Sequence, residues 1–141
     1  MTTEKEISII VVDDDEAVCR ALSRLIRSHE MHAEAFTSSE DFMSWIQSKS
    51  DVTVDCLILD QQMPGLTGLQ VQATLRQLNI QLPIVFISAH DDPVIEQQAM
   101  AGGAAAFLHK PCRDGDLIRV LNTVINSPKR QEQAPDKAPS R

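Results

Sequence analysis

Asp13 and Asp14 follow one apolar run of the chain, Asp60 follows a second, Ser88 a third and Lys110 a fourth. If those runs are parallel strands, all of these side chains fall at one edge of one sheet, the edge where open α/β sheets place their sites. Neighbouring strands lie ~4.8 Å apart, so carboxylates from Asp13 or Asp14 and from Asp60 converge within several ångströms. Carboxylates that close repel one another. Such a cluster either takes up protons, with raised pKa values, or binds a hard cation, and oxygen-only ligation suits Mg²⁺, which keeps several waters. On the far side of Asp60, Lys110 adds a point charge and Ser88 a hydroxyl, which together make a cradle for phosphoryl oxygens. Phosphoryl transfer needs little beyond positioning and charge neutralisation, and an aspartate can itself be the acceptor, forming an acyl phosphate. Asp60, isolated and central, is the candidate nucleophile.

These groups meet only if the chain alternates strands with helices. The first run, Ile7 to Val12, is β-branched and nearly continuous, which indicates a strand covered on both faces. Val18, Leu22, Leu25 and Ile26 then recur at helical spacing to near His29, with Arg20, Arg24 and Arg27 on the polar side. Met31 to Phe36 alternates weakly, as an edge strand does, and Ser38 with Asp41 forms a capping pair ahead of Phe42, Trp45 and Ile46. Val54 to Leu59 is the second strong run. After the loop Met63-Pro64-Gly65-Leu66-Thr67-Gly68, Thr67 caps a helix carrying Leu69, Val71, Leu75 and Leu78. Ile84 to Ile87 is the third run. Asp91-Asp92-Pro93 starts the next helix and Gly102-Gly103 stops it. Ala104 to Leu108 leads into Lys110-Pro111, and Leu117, Val120, Leu121, Val124 and Ile125 form the cleanest helical stripe.

The order is β-α five times over, an α/β chain. Right-handed crossovers with helices on both faces make it a doubly wound five-stranded parallel sheet of flavodoxin-like order 2-1-3-4-5. The expected division is a domain over residues 1–126, then a disordered tail or interdomain linker over 127–141, where Pro, Lys, Gln, Asp and Ala predominate without apolar periodicity.

Composition bounds what such a domain does. With 141 residues, of which 43% are hydrophobic, there is material for one real core. A net charge of −7 argues against sequence-independent binding to nucleic acid or to an anionic membrane. The first residues form no apolar signal core, and no stretch approaches the ~20 apolar residues that span a bilayer, so a cytoplasmic location is expected. Cys19, Cys56 and Cys112 are odd in number and share no metal-ligand spacing, which leaves buried or idle thiols as the expectation. The four histidines fit no ligand spacing and are expected at the surface, while Met63 and Trp45 are expected to pack.

Val12-Asp13-Asp14, Asp60-x-x-Met63-Pro64-x-x-x-Gly68, Ile87-Ser88-Ala89 and Phe107-x-x-Lys110-Pro111, in this order and at these separations, resemble the motifs of a CheY-like response-regulator receiver. The likeness covers residues 6 to 126. It implies a two-component signalling protein that takes a phosphoryl group from a sensor histidine kinase onto Asp60, a phosphoacceptor that catalyses its own phosphorylation and dephosphorylation without being an enzyme on other substrates. The same resemblance implies Asp14 as a direct Mg²⁺ ligand, Asp13 as a partly water-mediated one, and Asp60 and the backbone carbonyl of Gln62 completing the protein ligands. Ser88 and Lys110 would hold the phosphoryl oxygens, and the Lys110–Pro111 bond would be cis. Ser88 and Phe107 would act as the switch, remodelling the surface of helix 4, strand 5 and helix 5. Phe107 lacks a tyrosine's hydroxyl, so packing alone would report its rotamer. Gln62 and His90 sit where the family tunes the lifetime of the acyl phosphate. The Asp-x-x-Met-Pro pattern is similar to receivers attached to helix-turn-helix transcription regulators, which implies transcriptional output and dimerisation on phosphorylation.

A different class remains in view. Asp13-x-Asp15 after a first strand, a later Ser and a later Lys also occur in small phosphatases of the haloacid dehalogenase type, whose nucleophile here would be Asp13. That reading leaves the Asp60 to Gly68 motif unexplained. A flavodoxin-like electron carrier is disfavoured because carboxylates after the first strand repel a flavin phosphate.

Overall fold

The computed structural model describes residues 6–48 and 53–127. Apart from Ser127, the expected tail lies outside the described residues. The elements run β1 (Ser8–Val12), α1 (Glu16–Ser28), β2 (His32–Phe36), α2 (Ser39–Ser48), β3 (Cys56–Asp60), α3 (Gly68–Gln77), β4 (Ile84–Ser88), α4 (Pro93–Ala101), β5 (Ala106–His109) and α5 (Asp114–Ile125). The strands form one five-stranded sheet of order β2-β1-β3-β4-β5, and every pairing is parallel. This is the expected fold.

The continuous apolar strands make sense in this setting, because alternate residues feed two cores. Ile9, Val11, Cys56, Ile58, Val85 and Ile87 face one side, where α1 and α5 cover them with Ile26, Leu117, Leu121 and Val124. Ile10, Val12, Leu57, Leu59, Ile84 and Phe86 face the other, under Phe42, Met43 and Ile46 of α2, Val71 and Leu75 of α3, and Ala99 of α4. A fully buried Leu, Ile or Phe contributes roughly 1.5–3 kcal/mol, so a polar replacement on any central strand disturbs one core or the other. Met63 is buried in the second core, and Trp45 packs with the rings of Phe36 and Phe42, as expected of both.

The caps explain where helices begin. The Asp15 carboxylate accepts from the N–H groups of Ala17 and Val18, and that of Asp92 from Val94, with Pro93 in the first turn. Thr67 and Gln70 satisfy each other's backbone N–H groups in a capping box, and Ser38 Oγ accepts from the Asp41 N–H. The strand ends fall within one residue of the expectation, but two strand starts shift by two residues. The third strand starts at Cys56 and not at Val54, because the fully buried Asp55 closes the sheet's lower edge: its carboxylate accepts from the Ser8 N–H at 2.8 Å and its own N–H reaches the Ser8 carbonyl. The fifth runs from Ala106 to His109, since the Ala104 N–H turns back to the last turn of α4 at Ala99.

Register carries the polar residues to one edge. Val12 pairs with Leu59, Asp60 with Ile87 and Ser88 with His109, so Asp13, Asp60, Ser88 and Lys110 all emerge at the C-terminal ends of adjacent strands. Gly68, the last residue of the Asp60 motif, opens α3 against this edge. A Cβ there would stand 2.6 Å from the Asp60 carbonyl oxygen and 2.9 Å from a ring carbon of Phe86. Gly68→Ala is therefore expected to destabilise by ~1–3 kcal/mol through overpacking, despite alanine's better helix propensity. Urea unfolding measures this, and an unchanged midpoint would show that α3 can back away from β3.

Candidate functional site

Asp13 and Asp60 are both 3% exposed, and Ser88 is 1% exposed. Their surroundings differ. Both oxygens of Asp13 are engaged: Oδ1 accepts from the Asp15 N–H at 2.9 Å, and Oδ2 lies 2.9 Å from Lys110 Nζ. Asp60 meets the same ammonium through Oδ1 at 3.3 Å. Asp14 is exposed at the rim. One oxygen from each of Asp13, Asp14 and Asp60 can be chosen so that all lie within 4.8 Å of one another, which is the spacing of ligands around a single ion. Oxygen donors alone, one of them open to solvent, fit a hard divalent cation better than a thiophilic metal.

The electrostatics follow from three carboxylates sharing one ammonium. Burial, reinforced by the charge of Asp13, pushes Asp60 from the ordinary 3.8 to about 6, although Lys110 pulls the other way. Burial by itself lowers Lys110, but its hydrogen bond to Asp13 and the charges of Asp60 and Asp13 outweigh that and hold it above its ordinary range. The ammonium stays charged. At neutral pH Asp60 is thus mostly ionised yet ready to take up a cation or a proton.

Ser88 Oγ accepts from the His90 N–H at 3.1 Å, and the Ser88 carbonyl accepts from the Lys110 N–H at 2.8 Å, tying the ends of β4 and β5 together. The Lys110–Pro111 peptide is cis. Phe107 is half-buried, stacked on Phe86 with centroids 5.7 Å apart and tilted against the His109 ring at 5.4 Å. His109 in turn lies 3.7 Å from an Asp91 oxygen and 3.8 Å from one of Glu96. Gln62 and His90 are exposed on the loops that follow β3 and β4, two residues beyond Asp60 and Ser88 respectively. All four histidines lie at the surface.

Two contributors were not legible as site residues. Cys19, on α1, donates its thiol to the Asp13 carbonyl at 3.2 Å and so pins the loop bearing Asp13 and Asp14. Burial, with the Asp13 charge, raises that thiol to about 11, which keeps it protonated and unreactive. Gln61 is 5% exposed and bonds to the start of α3. A lone cysteine and a glutamine beside Asp60 carry no spacing signal; only the fold reveals what they touch.

A family model described as the response regulator receiver domain matches residues 9–122. The response regulator protein TmoT of Ectopseudomonas mendocina is 39% identical over 94% of this chain and 59% of its own length. The transcriptional regulatory protein TdiR of Thauera aromatica is 35% identical over 84% of this chain and 51% of its own. The chain thus spans a little over half the length of these curated relatives. Among solved structures, a response regulator receiver protein from Burkholderia phymatum is 40% identical and superposes with a TM-score of 0.76, covering 85% of this chain and 95% of that one.

Asp60 binds its proton more tightly folded than unfolded, so the stability it confers is fully present below about pH 4. That contribution is lost as pH rises through the folded value of about 6. In metal-free buffer, Asp60→Asn is expected to be more stable than wild type near neutrality and to lose this advantage toward pH 4. Urea titrations at several pH values measure the difference, and a constant gap would mean that Asp60 is not strained.

Proposed function

The chain belongs to the response regulator receiver family, whose general role is to take a phosphoryl group from a kinase, and on that premise we propose that Asp60 is the acceptor of a Mg²⁺-dependent transfer from a sensor histidine kinase. The observation that carries this reading is the asymmetry between the two buried carboxylates. Asp13 has both oxygens committed, whereas Asp60 bonds only through Oδ1 among the described residues, leaving Oδ2 able to attack. The same asymmetry, with the family match, supports this reading over a phosphatase in which Asp13 is the nucleophile.

In the transfer, an Asp60 carboxylate oxygen forms a bond to phosphorus while the phosphorus–nitrogen bond of the donor phosphohistidine breaks, its electron pair staying on the imidazole. Lys110, already charged and 3.3 Å from Asp60, neutralises phosphoryl oxygens, and the Ser88 hydroxyl leaves its local bond with His90 to join it. Asp13, Asp14, Asp60 and the Gln62 carbonyl would hold Mg²⁺. The bound ion supplies charge neutralisation between carboxylates and phosphoryl group. Gln62 and His90, exposed two residues beyond Asp60 and Ser88, control the approach of water to the acyl phosphate and so its lifetime. The chain promotes its own phosphorylation and dephosphorylation in this way.

Movement of Ser88 opens space toward β5 for Phe107, whose ring rests on Phe86 and carries no hydroxyl. The resulting change reaches α4, where Val94 and Met100 are 58% and 44% exposed, β5 and α5. Phosphorylation promotes a homodimer through this surface, and control of transcription through an output region is supported by a relative named as a transcriptional regulatory protein. No helix among the described residues is long and apolar enough to cross a membrane. The kinase-facing role carries with it a cytoplasmic site of action.

Incubation with Mg²⁺ and acetyl phosphate should give a phosphoryl adduct in the intact-protein mass. The adduct should vanish in Asp60→Asn, and an adduct that survives there but needs Asp13 would overturn the assignment. Lys110→Ala should still bind Mg²⁺ yet show no shift in oligomeric mass with a phosphoryl mimic, whereas wild type shifts with concentration. An unshifted wild type would sink the dimer.

A further inference from the structure

Resting on the reading above, in which the Gln62 carbonyl serves the Mg²⁺ site, we propose that Gln61 is the positioning residue that sets that carbonyl by clamping the start of α3 to the end of β3. Burying an amide side chain at a strand end costs free energy unless its polar atoms are bonded, so the 95% burial of Gln61 calls for a reason. The reason lies in the opening donors of α3. A helix leaves its first N–H groups without intrahelical partners. Here Gly68 N–H donates to the Gln61 backbone carbonyl at 3.1 Å, and Leu69 N–H donates to Gln61 Oε1 at 2.9 Å. Gln70 N–H is taken by Thr67 Oγ1 at 3.3 Å. One residue therefore anchors two successive donors, once through its backbone and once through its side chain.

The consequence falls on the next residue. Gln61 sits between Asp60, whose carboxylate belongs to the acidic cluster, and Gln62. With its backbone carbonyl and its side chain both tied to α3, the torsions that lead from Asp60 into Gln62 have little freedom. The far end of the loop is held separately, by the Leu66 N–H donating to the buried Ser39 Oγ at 3.2 Å. Gly68 permits the close approach that the clamp needs, since a Cβ would meet the Asp60 carbonyl and Gln61 Cα. A metal ligand supplied by the main chain can be oriented only through the main chain, and groups that orient ligands typically alter metal affinity 10–100-fold when removed.

Calorimetric titration of the full chain with Mg²⁺ tests the clamp. Gln61→Met keeps the volume but removes the acceptor, and should weaken Mg²⁺ binding by about tenfold or more. Phosphorylation by acetyl phosphate should then be slow at limiting Mg²⁺ and recover at saturation. Gln61→Asn, too short to reach Leu69, should show the same loss if the methionine variant does not fold. Gln61→Glu, which retains an acceptor, should bind Mg²⁺ at least as tightly as wild type. Thr67→Ala removes the neighbouring cap without touching Gln61, and should lower Tm while leaving Mg²⁺ affinity within twofold. Wild-type affinity in folded Gln61→Met, or an equal loss in Thr67→Ala, would overturn the clamp alone. Wild type that binds no Mg²⁺ would overturn the metal reading beneath it.

Discussion

Like charge held at close range is the constraint on which the rest of this structure depends. Two unit charges ~4 Å apart interact by about 4 kcal/mol even at an effective dielectric of ~20, and here three carboxylates gather at one sheet edge. Hydrophobic cores on both faces of the sheet force the gathering, because the strands that bury Val12, Leu59 and Ile87 leave Asp13, Asp60 and Ser88 nowhere else to emerge. Lys110 offsets part of the repulsion. Burial first, and then the repulsion from Asp13 that remains, raise the pKa of Asp60, so that its carboxylate readily accepts a positive charge. Folding energy and binding capacity are thus two sides of one arrangement.

The second shared element is the set of hydrogen bonds that fix the loops. Cys19 holds the β1–α1 loop through the Asp13 carbonyl, Gln61 holds the β3–α3 loop through α3, and Ser88 holds the β4–α4 loop through His90. The first two bonds come from side chains with no part in the chemistry. The third is made by a hydroxyl that the proposed transfer requires elsewhere. In the proposed transfer that difference would separate scaffold from switch: the loops after β1 and β3 would stay in place while the loop after β4 would be released when Ser88 changed partner. Phe107, resting on Phe86 and His109, is the ring that the proposed switch would move.

Much of this was legible in the chain. Continuous β-branched runs such as Ile7 to Val12 identify doubly covered strands, and Thr67, Asp92-Pro93 and Gly102-Gly103 mark helix ends through local chemistry that needs no tertiary partner. Because the alternation of strands and helices admits few topologies, the strand order and the shared edge of Asp13, Asp60, Ser88 and Lys110 followed. Boundaries were less legible where a long-range bond decides them. Asp55 reads as part of a strand start until its carboxylate is seen to take the Ser8 N–H across the sheet.

The sequence by itself therefore determined which side chains share the site, since strand length, register and the right-handed crossover leave little choice. Only the tertiary structure decided how those side chains divide the work. Whether Asp13 or Asp60 keeps an oxygen free depends on where one flexible lysine ends and which backbone N–H groups lie within reach. Whether Gln61 and Cys19 are filler or support depends on neighbours several residues to one helix away. Hydrogen bonds act over ~3 Å, a precision that periodicity along a chain does not encode.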